Sequence, residues 1–439
     1  MRKMTEGSIV RHLIAYALPL ILGNIFQLTY NAVDSIVIGK FAGENALAAV
    51  SAANPVMTIV ILGVSGVSIG ASVLMSRFFG AGDTQRLRRE VATTIVFGAA
   101  ASLAVFLIGL PLSEPMLRLM NVPPDVLPMA ARYLRVIFVG FLFTFQYNIL
   151  AAALRSVGDS KTPVLFLAAA SVMNAGLDVL FVAVGRWGVV GAGAATVIAE
   201  GVSALLCAVQ IYRNIPLLHL SLRDLRIDKT LLRETVSSGA ITALQQACQP
   251  IGKAVIQSVI NAQGVSVIAA FNAVSRIDDF ACIPEQSISS GIMTCIAQNR
   301  GAGEHERVGE TFRCGMSMEA VYGVLICLIV LAVKTPVMRL FAAQDSVSMI
   351  GMGVDYLTLM AFFYVLPGLT NGIQGYFRGM GEMKTTLIAT FIQISVRALV
   401  VWLLVPRIGL NGAAWACAAG WSLMLIYTFL RYQKVRMKE

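Results

Sequence analysis

The chain reads as an all-α integral membrane protein: twelve transmembrane helices in two parallel six-helix repeats. Three observations predict this. Of 439 residues, 57% are hydrophobic and only 13% charged, against roughly 25% charged in ordinary soluble domains. Apolar stretches of the length a bilayer demands, about 20 residues, recur twelve times. The second half of the chain also repeats short motifs of the first half in the same order.

The spans are expected near residues 14–39, 52–76, 91–113, 133–154, 163–184 and 189–212 in the first repeat, and near 236–261, 267–296, 314–336, 351–376, 386–406 and 409–430 in the second. The first follows Met1-Arg2-Lys3, as a secretion signal would. It runs too long for one, carries Gln27, Asn31 and Asp34, and has no small-residue cleavage pattern, so it is read as a helix. Pro19 within it removes one helical hydrogen bond and permits a kink. Residues 214–233 are the only long polar interval and read as a charged amphipathic linker on the membrane surface. They separate an N-terminal lobe, 1–213, from a C-terminal lobe, 234–439.

The duplication is explicit. LAAVSAANP (47–55) aligns with IAAFNAVSR (268–276), and the loop GAGD (80–83) with GAGE (301–304), both at a spacing of 221. RSVGDSKT (155–162) aligns with RGMGEMKT (378–385) at 223, and GVVGAGAA (188–195) with GLNGAAWA (409–416) at 221. Six helices per unit start both repeats on the same side of the membrane, a transporter architecture with its substrate cavity expected between the halves.

With the N-terminus inside, 23 of the 34 Lys and Arg residues fall on the cytoplasmic side, eight outside, and three (Lys253, Arg276, Arg397) within helices. Positive flanks are retained in the cytoplasm, so both termini are expected there. The net charge of +10 is then juxtamembrane charge facing anionic lipid, with no need of nucleic acid. The seven cysteines form no C-x-x-C pair, which argues against a disulfide framework or a zinc site. GDSKT lacks the Gly-Lys pair and the preceding strand of a phosphate-binding loop, so an ion gradient is the expected energy source.

Ionisable groups inside a bilayer are costly and default to functional hypotheses. Asp34 and Asp178 stand out because their repeat partners are Val255 and Val401. From a helix rise of about 1.5 Å per residue, Asp34 sits roughly 9 Å and Asp178 roughly 12 Å below the outer boundary. Thr196 reaches a similar depth, Asn174 is one turn from Asp178, and Tyr30 one turn from Asp34. Two carboxylates, an amide and hydroxyls make a site for a proton or a small hard cation. The plain alternative is hydrogen bonding across helices. Glu200 has no obvious partner. Lys253, Arg276, Asp278, Asp279, Glu285, Glu319 and Arg397 in the second lobe read first as mutual ion pairs, and more sharply with Asp278 or Glu285 facing the cavity to attract cationic substrates.

A-L-P-L (17–20) with V-D-S (33–35), N-A-G-L-D (174–178), G-A-G-A-A-T (191–196) and the repeated G-A-G-[DE] and R-x-x-G-[DE]-x-K-T loops together resemble the multidrug and toxic compound extrusion (MATE) family over nearly the whole chain. The acidic pair resembles its DinF-like branch. The NorM-like branch carries a Glu in helix seven, where this chain has Gln245, Gln246 and Gln249. The resemblance implies a V-shaped antiporter in the cell membrane that exports amphipathic or cationic compounds in exchange for H+ or Na+, as a monomer and without a cofactor. By position, Asp34, Asn174, Asp178 and Thr196 fit the family's N-lobe cation site and would be the ligands if Na+ is the coupling ion. Tyr30 fits its neighbour, Pro19 the proline at which helix one bends, and Asn148 is a further candidate for the network. Lys253, Asp278, Glu285 and Arg397 are the second-lobe candidates. Two rivals remain. A lipid-linked saccharide flippase of the same superfamily needs a basic cavity, for which only Lys253, Arg276 and Arg397 are available. An intramembrane aspartyl protease needs G-x-G-D, which GLD at 176–178 does not supply, so no enzyme is expected.

Overall fold

The computed structural model describes residues 3–221, 224–341 and 347–436, without the side chains of residues 30, 31 and 436. The first half builds α1 (Ile9–Val37), α2 (Glu44–Gly80), α3 (Thr84–Leu119), α4 (Leu127–Ser156), α5 (Lys161–Asp178) and α6 (Gly188–Asn214). The second builds α7 (Lys229–Asn261), α8 (Val265–Ala302), α9 (His305–Phe341), α10 (Val347–Phe363), α11 (Val365–Gly379), α12 (Met383–Ile408) and α13 (Asn411–Arg436). The described residues contain no strand. Each expected span falls on one rod to within a residue or two, except that 163–184 runs six residues past α5 and 351–376 is shared by α10 and α11.

Three local departures from straight helices bear on function. The expected span 351–376 is bent by 42° between Phe363 and Val365. Pro367, one turn on, has no N–H to return to the Phe363 carbonyl, which removes a bond the helix would need to run through. Two other rods end in π-helical turns, Ile38–Ala42 after α1 and Val179–Val184 after α5. Such turns are rare and favour functional sites. Pro19, by contrast, lies within an unbroken α1.

Among the described residues nine helices are long and apolar enough to cross a membrane, and the bent α10–α11 pair makes a tenth. The two long rods outside that number are the polar ones. α7 carries Gln245, Gln246, Gln249 and Lys253, and α8 carries Arg276, Asp278, Asp279 and Glu285.

By backbone contacts the chain forms two compact units, one from Pro19–Ala243, the other from Met4–Leu18 with the chain from Leu244 onward. Each repeat's first helix therefore changes unit part-way, α1 at Pro19 and α7 after Ala243. In the first unit, α7's opening turns lie directly on α2: a Cβ on Gly66 would come 2.8 Å from Ala243 N, and one on Gly239 2.8 Å from Val67 Cα. Only glycine permits so close a backbone approach, the device membrane helices use in place of hydrophobic attraction. In the second unit, α1's opening turns are tied to α8 and α9. The Tyr16 and Thr294 hydroxyls bond at 2.9 Å, Met4 N donates to Gln298 Oε1 at 2.9 Å, and Arg307 Nη2 donates to Gly7 O at 2.7 Å.

The polar interval is docked on α3. Arg88 donates to the carbonyls of Leu217 (3.0 Å) and Pro216 (2.8 Å), and Asp228 N donates to Thr93 Oγ1 at 3.0 Å. Its apolar Ile215 and Leu218 are buried in the core of the first unit beside Leu87 and Val91. Leu222 and Arg223 lie outside the described residues.

Candidate functional site

Asp34 and Asp178 meet. Asp34 is in the last turn of α1 and Asp178 ends α5, each just before a π-helical turn, and those turns touch each other and α6. The two carboxyls are within hydrogen-bonding reach. With both ionised neither can donate, and Asp34 Oδ1 and both Asp178 oxygens have no hydrogen-bond partner. Asp178 is 0% and Asn174 1% exposed. Asn174, one turn below Asp178, has neither its Nδ2 nor its Oδ1 bonded. Enclosed polar atoms are almost always paired, so this group of acceptors with one amide stands apart from the rest of the first unit.

The remaining candidates divide. Thr196 lies on α6, the helix in contact with both π turns, and its hydroxyl donates to Ala192 O at 3.1 Å, which leaves its lone pairs available. The side chain of Tyr30 is outside the described residues. Asn148 belongs to another cluster: its Nδ2 donates to Thr144 O at 2.8 Å. The partner that the sequence does not reveal for Glu200 is Thr144, whose hydroxyl donates to Glu200 Oε2. Among the described residues no group of three or more His, Cys, Asp and Glu could hold a metal ion. The acidic pair with an amide suits a proton or a monovalent cation instead.

The duplication supplies an internal control. At the repeat spacings, Asp34, Asn174, Asp178 and Thr196 correspond to Val255, Arg397, Val401 and Cys417. In the second unit Arg397 lies within electrostatic reach of Asp278 and Cys417. A guanidinium thus stands in the second unit at the position that Asn174 holds in the first.

In the second unit the charges are partly paired. Lys253 Nζ bonds Asp279 Oδ1 at 2.8 Å, both side chains more than half exposed. Tyr364, at the α10–α11 break, donates to Asp278. Asn371 Nδ2 donates to Glu285 Oε2 at 3.4 Å. Gln245 is the centre of a polar network: its Nε2 donates to Gln374 and to Thr390 Oγ1 (3.0 Å), and its Oε1 accepts from the Arg378 guanidinium (3.1 Å) and Thr386 (3.2 Å). Ordinary glutamines in the sequence give no sign of that convergence.

Comparison with known proteins agrees with the fold. The probable multidrug resistance protein YpnP of Bacillus subtilis is 29% identical over 89% of this chain and 87% of its own length. The multidrug export protein MepA of Staphylococcus aureus is 23% identical over 97% of this chain and 95% of its own. A solved outward-facing structure of a multidrug resistance MATE family transporter of the MOP superfamily superposes with a TM-score of 0.91, at 23% identity, over 99% of this chain and 97% of that one. The MatE family profile matches residues 19–180 and again 242–403, one match in each repeat. The chain therefore belongs to the MatE family, the multidrug and toxic compound extrusion transporters that its sequence resembles.

Proposed function

We propose that this protein is a secondary antiporter of the cell membrane, with both termini in the cytoplasm, that exports amphipathic or cationic small molecules in exchange for H+ or Na+. The reading rests on one observation: Asp34 and Asp178 come together, with no other hydrogen-bond partner for Asp34 Oδ1 or either Asp178 oxygen, in one unit of a duplicated fold whose other unit has Val255 and Val401 at their places and Arg397 at that of Asn174. Transport itself follows from membership of a transporter family, which sets aside the protease reading. Export of drug-like compounds draws on the names of YpnP and MepA.

A cation entering between the carboxyls supplies the charge they lack and draws the ends of α1 and α5 together. Its departure restores their repulsion. Alternating access follows if the substrate's hold depends on that packing, so that cation binding on the outside releases substrate and cation release on the inside readmits it. Asn174 and Thr196 would orient the ion, contributing an amide and a hydroxyl oxygen.

The test is Asp178→Asn, which keeps the shape and removes the charge. In proteoliposomes, with Na+ and pH gradients imposed separately, gradient-driven export should fall at least tenfold while the protein still elutes as a single folded species. Undiminished export would overturn the assignment of the pair. The arm that drives the wild type identifies the coupling ion.

A further inference from the structure

An apolar plug in the first unit is rebuilt from polar residues in the second. In the first, Val64, Phe141, Phe145 and Ile149 are buried as one cluster. The Phe145 ring lies over Gly98, 2.6 Å from where a Cβ would be. At the repeat spacings, Val64, Gly98, Phe141, Phe145 and Ile149 become Glu285, Glu319, Tyr364, Gly368 and Gly372. The exchange is reciprocal in volume. Where Phe145 and Ile149 shrink to glycine, Gly98 grows to glutamate, and Glu319 fills the space: a Cβ on Gly372 would lie 3.2 Å from its Cγ, and one on Gly368 3.4 Å from its Oε2.

Glu285 and Glu319 are each 0% exposed. Asn371 occupies one oxygen of Glu285. Glu285 Oε1 and both oxygens of Glu319 have no hydrogen-bond partner. The groups in electrostatic reach of the pair are Asp278 and Cys282 from α8 and Tyr322 from α9, and none is basic. Tyr322 spends its hydroxyl on Ala281 O at 2.8 Å. Of the second unit's cations, Lys253 is engaged with Asp279 and Arg397 lies beside Asp278. Burying two carboxylates without a cation costs more than any neighbour here returns. Three free oxygens and one amide fall short of a metal shell, whereas a proton needs a single oxygen and turns a carboxyl into the donor its neighbour lacks.

We propose that Glu285 and Glu319 form a second proton-binding site, built into the second unit and independent of the Asp34–Asp178 pair. With protons bound the pair is neutral inside its unit. Water reaching it beside the broken α10–α11 helix exchanges those protons, so that the protein binds more protons than its first-unit carboxyls alone can hold.

The experiment uses the full-length protein in detergent with Asp34→Asn and Asp178→Asn already introduced, so its outcome does not depend on the role of the first pair. Infrared spectra at neutral pH should show a protonated-carboxyl band that shifts on carbon-13 labelling of glutamate. Adding Glu285→Gln and Glu319→Gln should diminish that band and reduce by one or two the protons released per molecule on alkalinisation. An undiminished band and an unchanged proton count would overturn the proposal. Should the quadruple variant not fold, the labelled wild type decides: absence of any glutamate-derived protonated band sinks the site, and its loss in either single Glu→Gln variant supports it.

Discussion

Arg397 in α12 stands in the second repeat where Asn174 in α5 stands in the first. On the proposed reading, one scaffold holds a mobile charge in the first unit and a side-chain charge in the second. Around Asn174 the polar atoms are bare; around Arg397 the guanidinium already faces Asp278 and Cys417. If Asn174 helps hold the ion, Asn174→Ala removes one polar ligand, a loss of about 1–3 kcal/mol. The cation concentration that half-saturates export should rise about tenfold, which is about 1.4 kcal/mol. Transport assays over a Na+ or pH series check it, and an unmoved midpoint argues against a ligand role.

Arg397→Ala should behave differently. It strips Asp278 of one positive neighbour and leaves that carboxyl with the Tyr364 hydroxyl and the more distant influence of Lys253. Arg397 and Asp278 are part-buried and not in direct ion-pair contact, so the loss should be about 1 kcal/mol, seen as a small fall in the thermal unfolding temperature in detergent. The cation midpoint of export should stay where it is. Lys253→Ala is the contrasting case: its bond to Asp279 is exposed, and the expected change is below about 1 kcal/mol.

The legibility of these features in the sequence follows their physical range. The rods and the duplication can be read directly, because hydropathy over about 20 residues and motif spacing are properties of the chain itself. Asp34 and Asp178 are legible because a carboxyl in an apolar stretch is costly wherever it points. The π turns, the bend at Tyr364 and the passage of α1 and α7 between units are decided by packing, and single residues such as Pro367 only hint at them. Glu319 reads as one more charge because its neighbours lie in α8 and α11, tens of residues away. Their glycines acquire meaning only once Phe145 and Gly368 are set side by side. Asn148 shows the converse limit, since the resemblance that suggests it says nothing of how the side chain turns, and its amide donates to the Thr144 carbonyl instead.

The glycine contact between α2 and α7 makes a sharp contrast within one helix. A side chain at Gly66 would strike α7's backbone, whereas one at Gly63, a turn away, meets nothing within 4 Å. Gly66→Val should therefore abolish stable protein or lower its melting temperature by many degrees. Gly63→Ala should be neutral or stabilising by up to about 1 kcal/mol, the helix-propensity gain. Yield and thermal unfolding in detergent read both, and equal tolerance at the two positions would mean that α7's opening turns do not pack on α2.

Glu200 offers a last test, because its hydrogen bond separates a structural carboxyl from an ion-binding one. Thr144 donates its hydroxyl to Glu200 across the contact between α4 and α6. Thr144→Val keeps the shape and removes the hydroxyl, leaving a largely enclosed carboxyl unsatisfied at about 1–3 kcal/mol. Thr144→Ser should restore most of that stability. A carboxyl that merely ties α6 to α4 predicts a lowered melting temperature with unchanged ion dependence of export. One that takes part in coupling predicts a shift of the pH or Na+ midpoint in Thr144→Val and its return in Thr144→Ser. The position of Thr144, one turn before Asn148 and bonded to both its amide and Glu200, favours the first outcome, since the donors of this cluster are already spent on one another and leave no free acceptor set like that of Asp34 and Asp178.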